Sequence, residues 1–230
     1  MFLRPRAVVA ALVLPLLFGC GPRQTIEDAV VNASVNDVRK HLQAGYDVNA
    51  RITHTASDAS LVHYMASKYG RLDQLDDNRL AIIKWVLGSG ANLDVRDKEN
   101  ATPLHTAAWF GNEQVAGMLI DYRADVNAVD RSGHTPLHLA AKRFDADMCR
   151  LLLEHGALVD ARERHGETAL HAVLLEAGND HFTEGKQVVD VLLAHGADVN
   201  ACDAKGSPVI RHTYRGSEME RYLRSRGATG

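Results

Sequence analysis

Twelve histidines and three cysteines are the residues of this 230-residue chain whose types could hold a metal or supply nucleophilic and redox chemistry. Metal binding needs such side chains at short fixed spacings, as in H-E-x-x-H or paired C-x-x-C, because several ligands must reach one ion. Neither pattern occurs, nor does a G-x-S-x-G turn or a glycine loop that could cradle phosphate. His54, Ser57 and Asp58 carry the three groups of a hydrolytic triad. A triad is a geometry, however, and three close neighbours in one segment read as a solvated turn. No catalytic residue, metal or cofactor is therefore expected, and the chain is not expected to be an enzyme.

The histidines acquire meaning from the elements that position them. Thr102-Pro103-Leu104-His105, Thr135-Pro136-Leu137-His138 and Thr168-Ala169-Leu170-His171 recur 33 residues apart. A second phrase keeps the same period: Ala91-Asn92-Leu93-Asp94, Ala124-Asp125-Val126-Asn127 and Ala157-Leu158-Val159-Asp160, with Asp47-Val48-Asn49 before and Ala197-Asp198-Val199-Asn200 after. Thr102 and Thr135 stand where a helix N-cap hydroxyl belongs, and Pro103 and Pro136 occupy the first helical position, where the missing N–H costs nothing. Val115, Met118, Leu119 and Ile120, like Met148, Leu151, Leu152 and Leu153, supply the apolar side of a second helix. Gly156 and Gly196 follow its last turn, and Gly133 and Gly166 serve a hairpin before the next unit. His155 and His195 fall in last turns, where cations are favoured.

Two phrases held in register over several copies resemble the ankyrin repeat, in which T-P-L-H opens the first helix and G-A-D-V-N closes the second. The resemblance covers nearly all of the chain after its leader. It implies an all-α ankyrin-repeat solenoid with short β-hairpin connections, and T-P-L-H histidines that hydrogen-bond across repeat junctions. The expected units are a partial N-terminal one at 25–51, repeats at 52–96, 97–129, 130–162 and 163–202, and a C-terminal cap at 203–230. Insertions around 68–79 and 177–186 are expected to lengthen the loop joining paired helices. Arg123, Asn100 and Phe144 occupy places where the family has glycine, so a left-handed backbone at some cost is expected there. Gly117 weakens a helix interior by about 1 kcal/mol. Cys149 aligns with a core valine, and Cys202 falls on a hairpin two junctions away, so the two are expected to stay unpaired. A reactive thiol at Cys202 remains an alternative.

Residues 1–19 differ from the rest: Arg4 and Arg6 precede an apolar run at 7–18 broken by Pro15, then Gly19 and Cys20. That is the pattern of a signal peptide, too short for a permanent span. Leu17-Phe18-Gly19-Cys20 resembles the bacterial lipobox, which implies lipidation at Cys20, with plain secretion or an uncleaved anchor as alternatives. Gly21 after the cysteine implies the periplasmic face of the outer membrane, in its inner leaflet. Residues 20–24 would form the lipidated cysteine and a tether reaching at most about 14 Å, leaving the domain close to the bilayer.

With 46% apolar and 24% charged residues the chain can close a core, which excludes disorder for its bulk. A net charge of −3 gives no field that recruits nucleic acid. Binding to protein remains. In ankyrin proteins the hairpin tips and the exposed end of the first helix meet partners, which here implicates Lys98, Glu99, Ala101, Trp109 and Phe110. The next two units add Arg131, Ser132, His134, Lys142 and Arg143, then Arg164, His165, Glu167, Leu175 and Glu176. Two adjacent aromatics are hard to bury together, so Trp109 and Phe110 are expected to form a hot spot, unless one ring packs beneath the preceding repeat's inserted loop. Arg211, Arg215, Arg221, Arg224 and Arg226 make the cap basic, with Glu218 and Glu220 diluting it to a solvated face rather than a phosphate site.

The expected protein is monomeric when unbound and touches the membrane only through its lipid. Its resemblance to lipid-anchored ankyrin proteins that neutralise phospholipase effectors implies an immunity protein that occludes a toxin. A catalase-linked accessory in oxidative defence and a cell-envelope scaffold are the alternatives.

Overall fold

The computed structural model describes residues 25–51, 59–68, 76–177 and 181–230. The leader at 1–19, Cys20, the tether, His54, Ser57 and Asp58 lie outside these residues. Helices come in pairs: α1 (Ile26–Val31) with α2 (Val35–Gln43), α3 (Leu61–Lys68) with α4 (Asp77–Gly88), and α5 (Pro103–Phe110) with α6 (Glu113–Asp121). There follow α7 (Pro136–Lys142) with α8 (Ala146–Glu154), α9 (Ala169–Ala177) with α10 (Phe182–Ala194), and a 3₁₀ turn (Val209–His212) with α11 (Glu218–Ser225). The first members stack on one another as an inner row, and the second members as an outer row. One pair alone leaves an apolar face in water, and stacking buries it in a continuous core.

Inner helices approach closely because their core side is built from alanine. Ala107, Ala108, Ala140, Ala141 and Ala172 are buried, with Leu104, Leu137 and Leu170 filling the layer beneath. Outer helices contribute Val115 and Leu119, Met148 and Leu152, and Val188 and Leu192. Cys149 is buried among them, while Cys202 is half-buried and free.

The repeated phrases turn out to be stitches between neighbours, except at His171, whose Nδ1 accepts from the Thr168 N–H at 3.2 Å but whose buried Nε2 makes no junction hydrogen bond among the described residues. The Thr102 N–H donates to His105 Nδ1 at 3.1 Å, which places the ring proton on Nε2, and Nε2 donates to the His134 carbonyl in the next hairpin at 2.9 Å. His138 repeats this with the Thr135 N–H at 3.2 Å and the Glu167 carbonyl at 3.2 Å. His63, in the diverged phrase Ser60-Leu61-Val62-His63, does the same with the Ala101 carbonyl at 3.0 Å. At the other end of the unit, Asn127 Nδ2 donates to the Gly156 carbonyl at 3.0 Å, and its Oδ1 accepts from the Leu158 N–H at 2.8 Å. Asn49 and Asn200 form equivalent pairs of hydrogen bonds, donating to the Gly90 and Gly227 carbonyls and accepting from the Asn92 and Thr229 N–H groups. Asp160 has no N–H to offer and makes only the accepting half, from Asp198.

The hairpins are tight turns joined side by side rather than paired strands. The Arg131, Arg164 and Ala204 N–H groups donate to the Glu99, Ser132 and His165 carbonyls at 2.8, 3.1 and 2.8 Å. Among the described residues, strand pairing is limited to the single bridges Arg51–Ser60 and Cys202–Pro208. Gly133 and Gly166 sit where neighbouring turns touch, at φ +84° and +78°. A Cβ would lie 3.0 Å from the Arg164 nitrogen at Gly133 and 2.6 Å from the Ala204 nitrogen at Gly166.

Two expectations need adjustment. The insertions around 68–79 and 177–186 do not lengthen a loop alone, because part of each is helix. Asp76 caps α4 by accepting from the Arg79 N–H at 2.8 Å, so the helix starts at Asp77 and runs for 12 residues. Phe182 packs against the core and Gly185 is buried, which draws residues 182–186 into a 13-residue α10, against nine residues for α6 and α8. Residues 69–75 and 178–180 lie outside the description. The C-terminal segment is also more than a basic cap. Its 3₁₀ turn packs against α9 in the inner row, and the Asn200 stitch to Gly227 and Thr229 makes it a shortened sixth unit.

Asn100, Arg123 and Phe144 do adopt left-handed φ, at 60°, 74° and 56°. Ala33, at 52°, joins them. Phe144 is compensated: its ring packs on the core and stands 5.5 Å from the His181 ring.

Candidate functional site

The inner row and the hairpin tips enclose the concave side. Its main feature is a groove of about 530 Å³ between α3, α5, α7 and the turns at residues 97–101 and 130. Trp109 and Phe110 enter it from the last turn of α5 and remain 44% and 38% exposed. Tyr64, Leu139, Ala59 and Ala101 add to the apolar lining, with Asp97, Glu99 and Asp130 along the hairpin side.

Sequence spacing explains the floor. Tyr64, Thr106 and Leu139 each follow the stitching histidine of their unit, so the period that buries the imidazole turns the next side chain toward the concave face. Asp97 and Asp130 each precede the N-cap threonine by five residues and close the turn. Asp97 Oδ1 accepts from the Glu99 and Ala101 N–H groups, both at 2.9 Å. Asp130 Oδ1 accepts from Ser132 and His134 at 2.7 and 2.9 Å. Neutral N–H donors fix both carboxylates in place without cancelling their charge, and Asp130 Oδ2 has His134 as a further neighbour.

His63 and His105 carry no compensating positive charge at neutral pH, because burial holds both imidazoles below their ordinary pKa. Burial pushes His138 down to about 4. Cations do stand around the groove: Lys142 reaches Asp130 only through His134, and two arginines flank the opening. Arg131 meets Glu99 at 3.9 Å, and the Arg143 guanidinium lies 5.5 Å from the centre of the Trp109 ring.

The expected partner-binding residues therefore divide. Glu99, Trp109 and Phe110 line the groove together. Lys98, Arg131, Ser132, Arg164 and His165 lie at exposed hairpin tips. His134 is half-buried and structural: it faces Asp130 Oδ2 through Nδ1 at 3.3 Å and accepts from Lys142 Nζ through Nε2 at 3.0 Å. Arg143 is exposed and covers Trp109. Leu175, 48% exposed, and Glu176 extend the concave face on α9 beyond the groove. Tyr64, Leu139, Asp97 and Asp130 were not anticipated, although the 33-residue recurrence of the turn carboxylate at 97 and 130, continued by Glu163, is a readable signal.

His155 and His195 donate through Nδ1 to the Leu151 and Val191 carbonyls at 2.8 and 2.9 Å, closing their helix ends. Burial pushes the Cys149 thiol far up, which makes it inert. In the cap, Arg224 pairs with Glu220 at 2.9 Å. Among the described residues no group of three or more histidine, cysteine or acidic side chains is arranged for a metal, and no helix is long and apolar enough to cross a membrane.

A family model described as ankyrin repeats (3 copies) matches residues 28–130, 64–163 and 119–203. Among curated proteins the chain is similar to protein phosphatase 1 regulatory subunit 12A of Mus musculus and of Rattus norvegicus. Each is 29% identical over 95 residues, a match covering 41% of this chain and 8% of the relative's length.

Proposed function

The chain belongs to the ankyrin-repeat family, and from that premise we propose that its protein-interaction role is exercised by docking a partner on the groove around Trp109 and Phe110. The observation that carries this is the exposure of two adjacent large aromatics in one concavity. Removing about 100 Å² of such surface from water yields roughly 2.5 kcal/mol at 25 cal/mol per Å², so the pair makes a natural hot spot. Trp85 supplies an internal control. It is 42% exposed on outer helix α4 and lies under Arg39 at 4.9 Å, outside the groove lining. Affinity capture with Trp109→Ala should lose the partner, while Trp85→Ala should retain it. Equal retention by both variants would dismiss the groove as the docking site.

The biological setting we propose is that of a lipoprotein held at Cys20 on the periplasmic face of the outer membrane, where it occludes a toxin such as a secreted phospholipase effector. The apolar leader with its lipobox-like end supports the anchor. The similarity to proteins named as regulatory subunits of a phosphatase is compatible with a chain that acts on an enzyme without being one. Mass spectrometry of the membrane fraction should find acyl chains on Cys20 and none after Cys20→Ala. Deleting the gene should sensitise cells to a co-encoded effector, and unchanged survival against every such effector would overturn the immunity role.

A further inference from the structure

We infer that the groove is a receptor for a cation: its occupant is an arginine side chain, flanked by an apolar residue, on the surface of the partner protein. This rests on the docking reading above and adds to it the chemistry of the contact.

The charged side chains lining the groove are Asp97, Glu99 and Asp130, all acidic. Backbone N–H donors lock both aspartates before any ligand arrives; Asp130 Oδ2 also faces His134 Nδ1 at 3.3 Å, which leaves Asp97 and Glu99 as the carboxylates with free oxygens toward the groove. Tyr64, Trp109 and Phe110 line the same groove. Aromatic faces attract cations through the ring quadrupole, tryptophan most strongly, and arginine is the more frequent protein partner. A planar guanidinium can stack on such a face while its N–H groups reach carboxylate oxygens, which an ammonium does less well. Trp109 already receives one guanidinium from within the chain, that of Arg143 at 5.5 Å. Glu99 is held only loosely, with 72% of its side chain exposed and Arg131 at 3.9 Å, so an incoming guanidinium can displace that contact at little cost. The volume of about 530 Å³ accommodates more than one side chain, which is why an apolar neighbour accompanies the arginine.

The probes are three N-acetylated tripeptide amides, Phe-Arg-Leu, Phe-citrulline-Leu and Phe-Glu-Leu, titrated to about 10 mM. Blocked ends remove the terminal charges, and citrulline keeps the shape of arginine without its charge. The protein carries Trp85→Phe, so that tryptophan emission reports Trp109 alone. We expect saturable binding of the arginine peptide, about fivefold or more tighter than the citrulline peptide, with Glu99→Gln narrowing that gap. Equal affinity for arginine and citrulline, preference for the glutamate peptide, or no saturable response to any probe would each overturn the inference. The docking reading is judged separately. If Trp109→Ala loses the captured partner while arginine and citrulline bind alike, the groove stands as the interface and only its selectivity for a cation falls. If the peptides discriminate but Trp109→Ala keeps the partner, the docking site falls instead.

Discussion

Lowering the pH from 7 to 5 should destabilise this solenoid through its buried junction histidines, and His138 allows the size to be worked out. Its ring is buried at the junction of two units. Nδ1 accepts from the Thr135 N–H and Nε2 donates to the Glu167 carbonyl, so the fold requires the neutral form. Burial lowers its pKa to about 4, while in the unfolded chain it returns to roughly 6.5. The unfolded state therefore binds the proton more readily. Stability is complete above the unfolded pKa, drains away as pH falls through 6.5, and levels off only below about 4. At pH 5 about 97% of the unfolded-state imidazole is protonated against about 10% in the folded state, a cost of about 2 kcal/mol from this residue alone. His63 and His105, lowered by the same burial, act in the same direction.

The assay is urea unfolding followed by circular dichroism at pH 7, 6 and 5 and constant ionic strength, for the native chain and for His138→Gln. The substitution weakens the junction at every pH, so the informative quantity is the change in stability with pH rather than stability itself. The variant should lose about 2 kcal/mol less than the native chain between pH 7 and 5. An identical pH dependence in the two proteins, or an imidazole resonance of folded His138 titrating near 6.5, would refute the reasoning.

Three further outcomes follow from the turns. Gly166→Ala should cost more than Gly156→Ala: both have positive φ, but only the first places its new methyl 2.6 Å from a backbone nitrogen in the neighbouring hairpin, and thermal melts should separate them by about 2 kcal/mol or more. Arg123→Gly should stabilise by about 1 kcal/mol, because a non-glycine residue there holds φ at 74°; an unchanged or lowered midpoint would contradict this. Phe144→Gly should fail to give the same gain despite the same backbone strain, since it removes a ring that packs on the core and against His181.

These contrasts show why the architecture was readable from the residues while much of the groove was not. Stacking repeats is a local problem solved in nearly the same way in successive units, so its solution is written as a period: threonine cap, proline, leucine, stitching histidine, and later the asparagine that binds the next turn. His63 kept the stitch while its phrase drifted to Ser60-Leu61-Val62-His63, because the geometry needs an imidazole at that place and only a hydroxyl residue at the cap. Helix boundaries in the insertions obey different rules. Asp76 and Phe182 recruit inserted residues into α4 and α10 by capping and by burial, and neither effect is periodic.

A binding site in such a fold is the set of positions that the period leaves unconstrained, and those positions carry information only once they are brought side by side. Trp109 and Phe110 stood out because two adjacent large aromatics beyond the helix's core face are hard to bury together. Tyr64, Asp97 and Asp130 did not, because each has a plausible structural role within its own unit. They become one surface when α3, α5 and α7 stack, for the column that follows the stitching histidine then lies opposite the row of turn carboxylates. Asp97 serves both purposes at once: one oxygen closes the hairpin and the carboxylate lines the groove, whereas the second oxygen of Asp130 faces His134. Replacing Asp97 with asparagine should therefore separate the two roles. An amide oxygen still accepts from the Glu99 and Ala101 N–H groups, so the melting temperature should hold within a few degrees, while the arginine tripeptide should bind more weakly. A collapse of stability instead would mean that the charge is needed for the turn itself.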